Sequence, residues 1–310
     1  MQVIQNNQPV AGDVRGAAFA LGNFDGLHRG HEAVIDAARA AADRLCAPLG
    51  LACFEPAPRR YFQADAAPFR IMNAAWRREV LADVGVDVVV ELPFDQAMAT
   101  MSDRGFCERV LVERLGAKAV AVGYDFCFGK GRTGNARTLS KDAANLGFEA
   151  IIVDKVADAE GADKISSSAI RDHIRAGRVE DAGRMLGRPW RIDATVEDGA
   201  KRGRTIGFPT ANLRLGDTIN PAHGVYAVRA RIAGEGPWRP GVANFGRTPT
   251  VGEREPLLEV NLFDFSGDLY GEALSVQFAG FLRAERKFDG LDALKAQIAM
   301  DADAARRMLG

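Results

Sequence analysis

Gly22-Asn23-Phe24-Asp25-Gly26-Leu27-His28-Arg29-Gly30-His31 follows a short apolar run, Ala17 to Leu21, and leads into an alanine-rich segment, His31 to Leu45. In that segment Val34, Ala37, Ala38, Ala41 and Leu45 recur at helical spacing, so the pattern predicts a strand, a turn and a helix in direct succession. Glycines let such a turn bend sharply and bring its backbone close to a ligand. The helix start offers unpaired N–H groups and the positive end of the helix dipole, which together favour an anion. The chain has four histidines, and His28 and His31 fall here as directional donors. A turn whose histidines only cap the helix is the plainer reading. The coincidence of glycines, histidines and helix start favours a phosphate site.

Outward from that turn, Leu49 to Phe54, Val86 to Leu92, Lys118 to Tyr124 and Ala150 to Val153 read as strands, and Ala74 to Val84 and Phe106 to Leu115 as helices, the latter closed by Gly116. Strands alternating with helices predict a parallel sheet covered on both faces. The grammar changes near Gly187. Ser168 to Leu186 is helical in pattern and Gly187-Arg188-Pro189 breaks it. Arg191 to Val196, Gly224 to Ile232, Leu257 to Phe265 and Leu274 to Phe281 then alternate like strands, and Leu291 to Leu309 closes as an amphipathic helix. The expected architecture is an α/β parallel-sheet domain over residues 1–186, followed by an antiparallel β-barrel domain with a C-terminal helix over 187–310.

Bulk properties narrow the function. A net charge of -1 over 310 residues argues against a nucleic-acid groove, which needs a basic field. No apolar run of about eighteen residues appears, so no membrane span is expected. Met1 to Gly12 lacks the pattern of a signal peptide. Cys46, Cys53, Cys107 and Cys127 form no C-x-x-C pair, which fits reduced thiols in a cytoplasmic enzyme.

His28-Arg29-Gly30-His31 fits the H-x-G-H signature of nucleotidyltransferases, which align a phosphate with the α-phosphorus of ATP and stabilise the charge that develops. Ile165-Ser166-Ser167-Ser168-Ala169-Ile170-Arg171 places three hydroxyls at a helix start with a cation one turn inside. One serine would suffice as a cap, so this segment also points to phosphate. Gly129-Lys130-Gly131-Arg132-Thr133-Gly134 matches G-x-G-x-x-G, but it stands outside the first strand–helix unit and reads as a surface loop. A second glycine-rich basic segment carries Gly199, Lys201, Arg202, Gly203, Arg204 and Gly207 and ends in Phe208-Pro209-Thr210-Ala211-Asn212. Its backbone could wrap phosphates, and Thr210 and Asn212 offer neutral oxygens suited to Mg²⁺. Glu259 lies on an otherwise apolar strand and is the candidate base for an alcohol.

Taken in order, GNFDGLHRGH (22–31), FEPAPRRYF (54–62), LPFD (92–95), VGYDFCFGKGRTG (122–134), ISSSAIR (165–171), RGRTIGFPTAN (202–212), GVYAV (224–228), GVANFGRTPT (241–250), LEVNLFDFSGDLYG (258–271) and KFDGLDALKAQI (287–298) resemble the bacterial bifunctional riboflavin kinase/FAD synthetase family over essentially the whole chain. The resemblance implies a nucleotidyltransferase-type α/β domain that adenylylates FMN to FAD and a six-stranded barrel that phosphorylates riboflavin. It implies ATP contacts at Gly22, Asn23, Phe24, Asp25, His28, His31, Ser166, Ser167, Ser168 and Arg171, with flavin contacts at Asp125 and Phe126. In the kinase it implies ATP contacts at Gly199, Gly203, Arg204, Gly207, Pro209, Thr210 and Asn212. Mg²⁺ would sit on Thr210 and Asn212, with Glu259 as base. Riboflavin, FMN and ATP are then the small-molecule partners, with neither nucleic acid nor membrane, and a weak homo-oligomer is compatible. Three positions depart from the family: Ala57 and Asn261, where it usually has His, and Cys127, where Arg is common. The alternatives are an H-x-G-H transferase of another specificity and an inactive flavin or nucleotide sensor. The barrel half weighs against the first. The intact His28, His31, Thr210, Asn212 and Glu259 weigh against the second.

Overall fold

The structure, a computed structural model, describes residues 1–5, 9–10, 12–155, 165–197, 208–246 and 256–310. It divides into two compact units, Met1–Ala66 with Ala74–Ile165, and Ala67–Asn73 with Ser166–Gly310. Among the described residues no helix is long and apolar enough to cross a membrane.

The first unit contains β1 (Gln2–Ile4), β2 (Ala18–Leu21), α1 (Arg29–Leu45), β3 (Leu49–Phe54), α2 (Pro58–Phe62), α3 (Ala74–Asp83), β4 (Val88–Leu92), α4 (Gln96–Thr100) and α5 (Asp103–Gly105). A π-helix (Phe106–Arg114), β5 (Ala119–Gly123), a small hairpin of β6 (Cys127–Phe128) and β7 (Gly134–Asn135), α6 (Ala136–Leu146) and β8 (Glu149–Val153) follow. The main sheet has the order β1-β4-β3-β2-β5-β8 and every pairing is parallel. β2, β3 and β4 are buried at every residue, as strands covered on both faces must be. Phe19 lies flat against Gly50 of the neighbouring strand, where a Cβ would come within 2.4 Å of the ring. The chain grows from β2 through β3 to β4 on one side and from β5 to β8 on the other. The order therefore reverses between β2 and β5, and in such sheets ligands bind outside the strand ends at that point. The turn 22–31 begins there.

One ionic cluster is buried in this unit. Glu91 of β4 has a side chain only 1% exposed and meets Arg77 at 3.2 Å and Arg78 at 2.7 Å. Gln5 donates to it at 2.6 Å, and Arg77 also reaches Glu55 at 3.0 Å. Burial pushes Glu91 upward, but hydrogen bonds from Arg78 and Gln5 and the charge of Arg77 outweigh it and hold the carboxyl below its ordinary value.

The second unit holds α7 (Ser167–Arg175) and α8 (Val179–Leu186), then β9 (Arg191–Glu197), β10 (Ala211–Leu213), β11 (Gly224–Ile232), β12 (Arg239–Gly246), β13 (Leu257–Leu262), β14 (Ala273–Ala284) and α9 (Leu291–Leu309). The strands close into an antiparallel barrel of order β10-β13-β12-β11-β14-β9. α9 lays Ala302, Ala305 and Leu309 on Val225, Ala227 and Val242 of the barrel's outer wall. It is pinned by the buried Asp301, which accepts from Arg283 at 2.9 and 2.7 Å. Ala67–Asn73 belongs to this unit. The fully buried Trp190 donates its indole N–H to the Ile71 carbonyl at 2.9 Å, and Arg70 and Ile219 exchange backbone contacts around Asp217.

Several elements differ from the expectation. The helix at 106–114 has π geometry. Ser168 to Leu186 is two helices, because Gly177 takes a left-handed φ of +76° between them. β10 and β12 were not predicted: the first has three residues, and the second carries Pro240 and Gly241, which read as a turn.

Removing one partner of a buried ion pair typically costs about 3–5 kcal/mol, because the other charge is left uncompensated. Glu91→Ala should lose that much stability in denaturant unfolding at pH 7, and a loss under about 1 kcal/mol would contradict the role given to the cluster. The Glu91 carboxyl is depressed in the fold. Its stabilisation is therefore complete above the unfolded value of about 4.3 and fades as pH falls through the folded one, so Glu91→Gln should flatten the acid limb of the stability curve.

Candidate active sites in the two units

The turn after β2 folds around its own side chains. Phe24, 1% exposed, takes a left-handed φ of +48°, and its ring lies 5.3 Å from that of His31. His28 is the N-cap of α1: the Gly30 N–H donates to its Nδ1 at 3.1 Å. The His28 N–H donates in turn to His31 Nδ1 at 3.4 Å, completing a reciprocal capping box. The two rings stack with centroids 3.9 Å apart. Gly30 lies close beneath the His28 ring, where a Cβ would stand 3.1 Å from it and press the ring aside. With both Nδ1 atoms accepting from backbone, each neutral imidazole carries its proton on Nε2. The cap is thus carried by the Nδ1 atoms of both rings. Gly22, Asn23 and Asp25 belong to the same turn.

The carboxyl ends of β3, β4 and β5 lie along the same sheet edge as this turn and carry an aromatic series. Tyr61, Phe62 and Phe94 meet edge to face at 5.2 to 5.7 Å. Phe94 continues to Phe54 at 5.4 Å, Phe54 to Phe106 at 6.2 Å and Phe106 to Phe128 at 5.3 Å. Phe126 stacks on Phe128 at 5.6 Å, with Asp125 beside it in sequence. One end is open to solvent, with Phe62 at 66% exposure. Phe54, Tyr61, Phe62 and Phe94 carried no role in the sequence reading, although FEPAPRRYF and LPFD contain all four. Their signal is the repeated aromatic just beyond a strand end.

Ser166 and Arg171 lie in the second unit. Ser166 is the N-cap of α7, accepting from the Ala169 N–H at 3.2 Å. Arg171 Nε donates to the Phe69 carbonyl at 2.8 Å. Ser167 and Ser168 open the same helix.

In the barrel, burial alternates along β13, so Glu259 and Asn261 point outward while Leu258, Val260 and Leu262 face in. The register sets Glu259 between Asn212 of β10 and Asn244 of β12. Burial pushes the Glu259 carboxyl upward; a hydrogen bond with Asn244 opposes this, the charge of Glu285 adds to it, and the net shift is upward. Glu285 lies over Gly246, two residues along the same face of β12, and pairs with His223 at 3.4 Å. Asn261 Nδ2 donates to the Pro209 carbonyl at 2.7 Å, next to Thr210. Gly199, Gly203, Arg204 and Gly207 lie outside the described residues.

Comparison with known proteins follows the same division. The family model for FAD synthetase matches residues 11–169 and that for riboflavin kinase matches residues 186–309. A bifunctional riboflavin kinase/FMN adenylyltransferase of Haemophilus influenzae is 40% identical over 99% of this chain and 98% of its own length. The Bacillus subtilis protein of the same name is 36% identical over 94% of this chain and 92% of its own. The crystal structure of a Streptococcus pneumoniae chain named as a macrolide-efflux protein matches with a TM-score of 0.84 and 32% identity, each chain covered to 99%. Two matched halves and full-length relatives lead to one conclusion: the chain belongs to the bifunctional riboflavin kinase/FMN adenylyltransferase family, phosphorylating riboflavin to FMN and adenylylating FMN to FAD.

Proposed function

We propose that the turn 22–31 is the ATP site of the adenylyltransferase and that the outward face of β10, β13 and β12 is the kinase site, in a cytoplasmic enzyme with its activities divided near residue 187. The observation that carries the first assignment is the capping box. It holds two imidazole Nε2–H donors over a helix start at the switch point of the sheet. The FMN phosphate oxygen attacks the α-phosphorus of ATP, the bond to the bridging oxygen breaks, and pyrophosphate leaves. His28 and His31 donate to the oxygens on which charge builds during that displacement. Phe126, stacked on Phe128, and the edge-to-face aromatic series offer the flavin ring an apolar wall, with Asp125 beside it. Ser166, Ser167 and Ser168 fall within the span that matches FAD synthetase, which supports giving them to the ATP phosphates; Arg171, two residues beyond that span, is assigned on its sequence.

In the kinase the ribityl hydroxyl attacks the γ-phosphorus and ADP leaves. Glu259 takes the hydroxyl proton, and its raised proton affinity makes it a better base than an exposed carboxylate. Among the described residues no group of three His, Cys, Asp or Glu side chains converges on a cation. The oxygens of Thr210 and Asn212 instead fit Mg²⁺ that takes most of its shell from nucleotide and water. Bound there, the ion would offset phosphate charge. The Gly-rich segment with Gly199, Gly203, Arg204, Gly207 and Pro209 is assigned to the ATP phosphates on its sequence.

Two substitutions test the assignments separately. Loss of one such donor costs about a hundredfold or more in rate, so His28→Ala should cut FAD formation from supplied FMN by that factor and leave FMN formation from riboflavin intact. Equal loss of both activities would sink the first assignment. Glu259→Gln keeps the shape and removes the base, so riboflavin phosphorylation should fall at least about a hundredfold while FAD formation from FMN continues. A variant with normal turnover, whatever its melting temperature, would show that Glu259 is not the base.

A further inference from the structure

β10 pairs with β13 over Ala211 to Leu213 alone, with Ala211 opposite Val260 and Asn212 opposite Glu259. One step earlier in the same register Thr210 falls opposite Asn261, and the next step is Pro209. Proline has no N–H to give to a ladder, and the paired strand starts only at Ala211. Backbone pairing therefore stops just short of Thr210. Asn261 stands at that point. It shares its strand face with Glu259, two residues away, and its Nδ2 donates to the Pro209 carbonyl at 2.7 Å.

We propose that Asn261 is a positioning residue of the kinase: its amide replaces the interrupted ladder, fixes the Pro209–Thr210 backbone on β13, and so holds the Thr210 oxygen in place beside Glu259. The inference rests on the reading of Thr210 and Asn212 as the residues that meet Mg²⁺ and the nucleotide phosphates. A side chain fixed from both sides of its peptide loses little freedom when the nucleotide arrives, whereas an unclamped Thr210 must be ordered at that moment. The donor itself matters and its shape does not: aspartate has the same outline but no N–H, while a histidine Nδ1–H hangs from Cγ as Asn Nδ2 does.

The test compares Asn261→Asp, Asn261→Ala and Asn261→His in the full-length chain. Two quantities are read: hydrogen exchange of the Thr210, Ala211 and Asn212 amides without ligand, and the KM for ATP·Mg²⁺ in riboflavin phosphorylation. A hydrogen bond of ordinary strength predicts about fivefold faster exchange and about a five- to tenfold higher KM in the Asp and Ala variants, with both restored in Asn261→His. FAD formation from supplied FMN should not change. Unchanged exchange in the Asp and Ala variants overturns the clamp. Faster exchange with an unchanged KM overturns its role in the reaction. Thr210→Val tests the underlying reading on its own: a normal KM for ATP·Mg²⁺ there removes Thr210 from the phosphate site, while the exchange data still decide whether Asn261 holds the strand.

Discussion

The adenylyltransferase half depends on how the first turn of α1 is satisfied. A helix start leaves backbone N–H groups without partners, and a polar turn must supply acceptors for them. Here the acceptors are imidazole nitrogens. His28 Nδ1 takes the Gly30 N–H and His31 Nδ1 takes the His28 N–H. That single exchange fixes the helix entrance, the ring tautomers and the aim of both Nε2–H groups together. It also bears on the residue at position 30, where a side chain would press on the His28 ring. The turn is placed by the sheet beneath it, whose strand order reverses beside β2.

The kinase half meets a different constraint. A barrel wall has only two faces, and the inner one is filled by side chains such as Leu258, Val260 and Phe278. The outer wall carries polar residues, where period two lines up Asn212, Glu259 and Asn244 across three strands. α9 covers the neighbouring part of that wall through Ala302, Ala305 and Leu309, and its buried Asp301 ties it to Arg283. Half-burial of Glu259 raises its proton affinity, which an open surface would not do.

Most of this was legible where side-chain period and backbone geometry agree. The strand–turn–helix at 17–45, the buried valines of β4 and the alternation along β13 were all read from periodicity. Elements whose identity depends on partners were hidden. β10 has three residues and exists because β9 and β13 flank it, and β12 pairs through Pro240 and Gly241. No periodicity separates a π-helix from an α-helix over Phe106–Arg114. The segment Ala67–Asn73 carries no motif, yet its Ile71 carbonyl receives the indole of Trp190. The aromatic series escaped notice because its members come from four separate stretches, and only the parallel sheet brings its strand ends to one edge. Asn261 looked like a departure from the family, and its hydrogen bond to Pro209 gives the substitution a physical role.

The central claim is that one chain carries two separate nucleotide sites, one at a capped helix start and one on a barrel wall. Calorimetric titration of the full-length protein with a non-hydrolysable ATP analogue and Mg²⁺ tests it most directly. Two nucleotides per chain are predicted, with the His28→Ala/His31→Ala double variant weakening one binding event and Asn212→Ala the other. A single nucleotide per chain, or loss of both events from either change, would contradict the account.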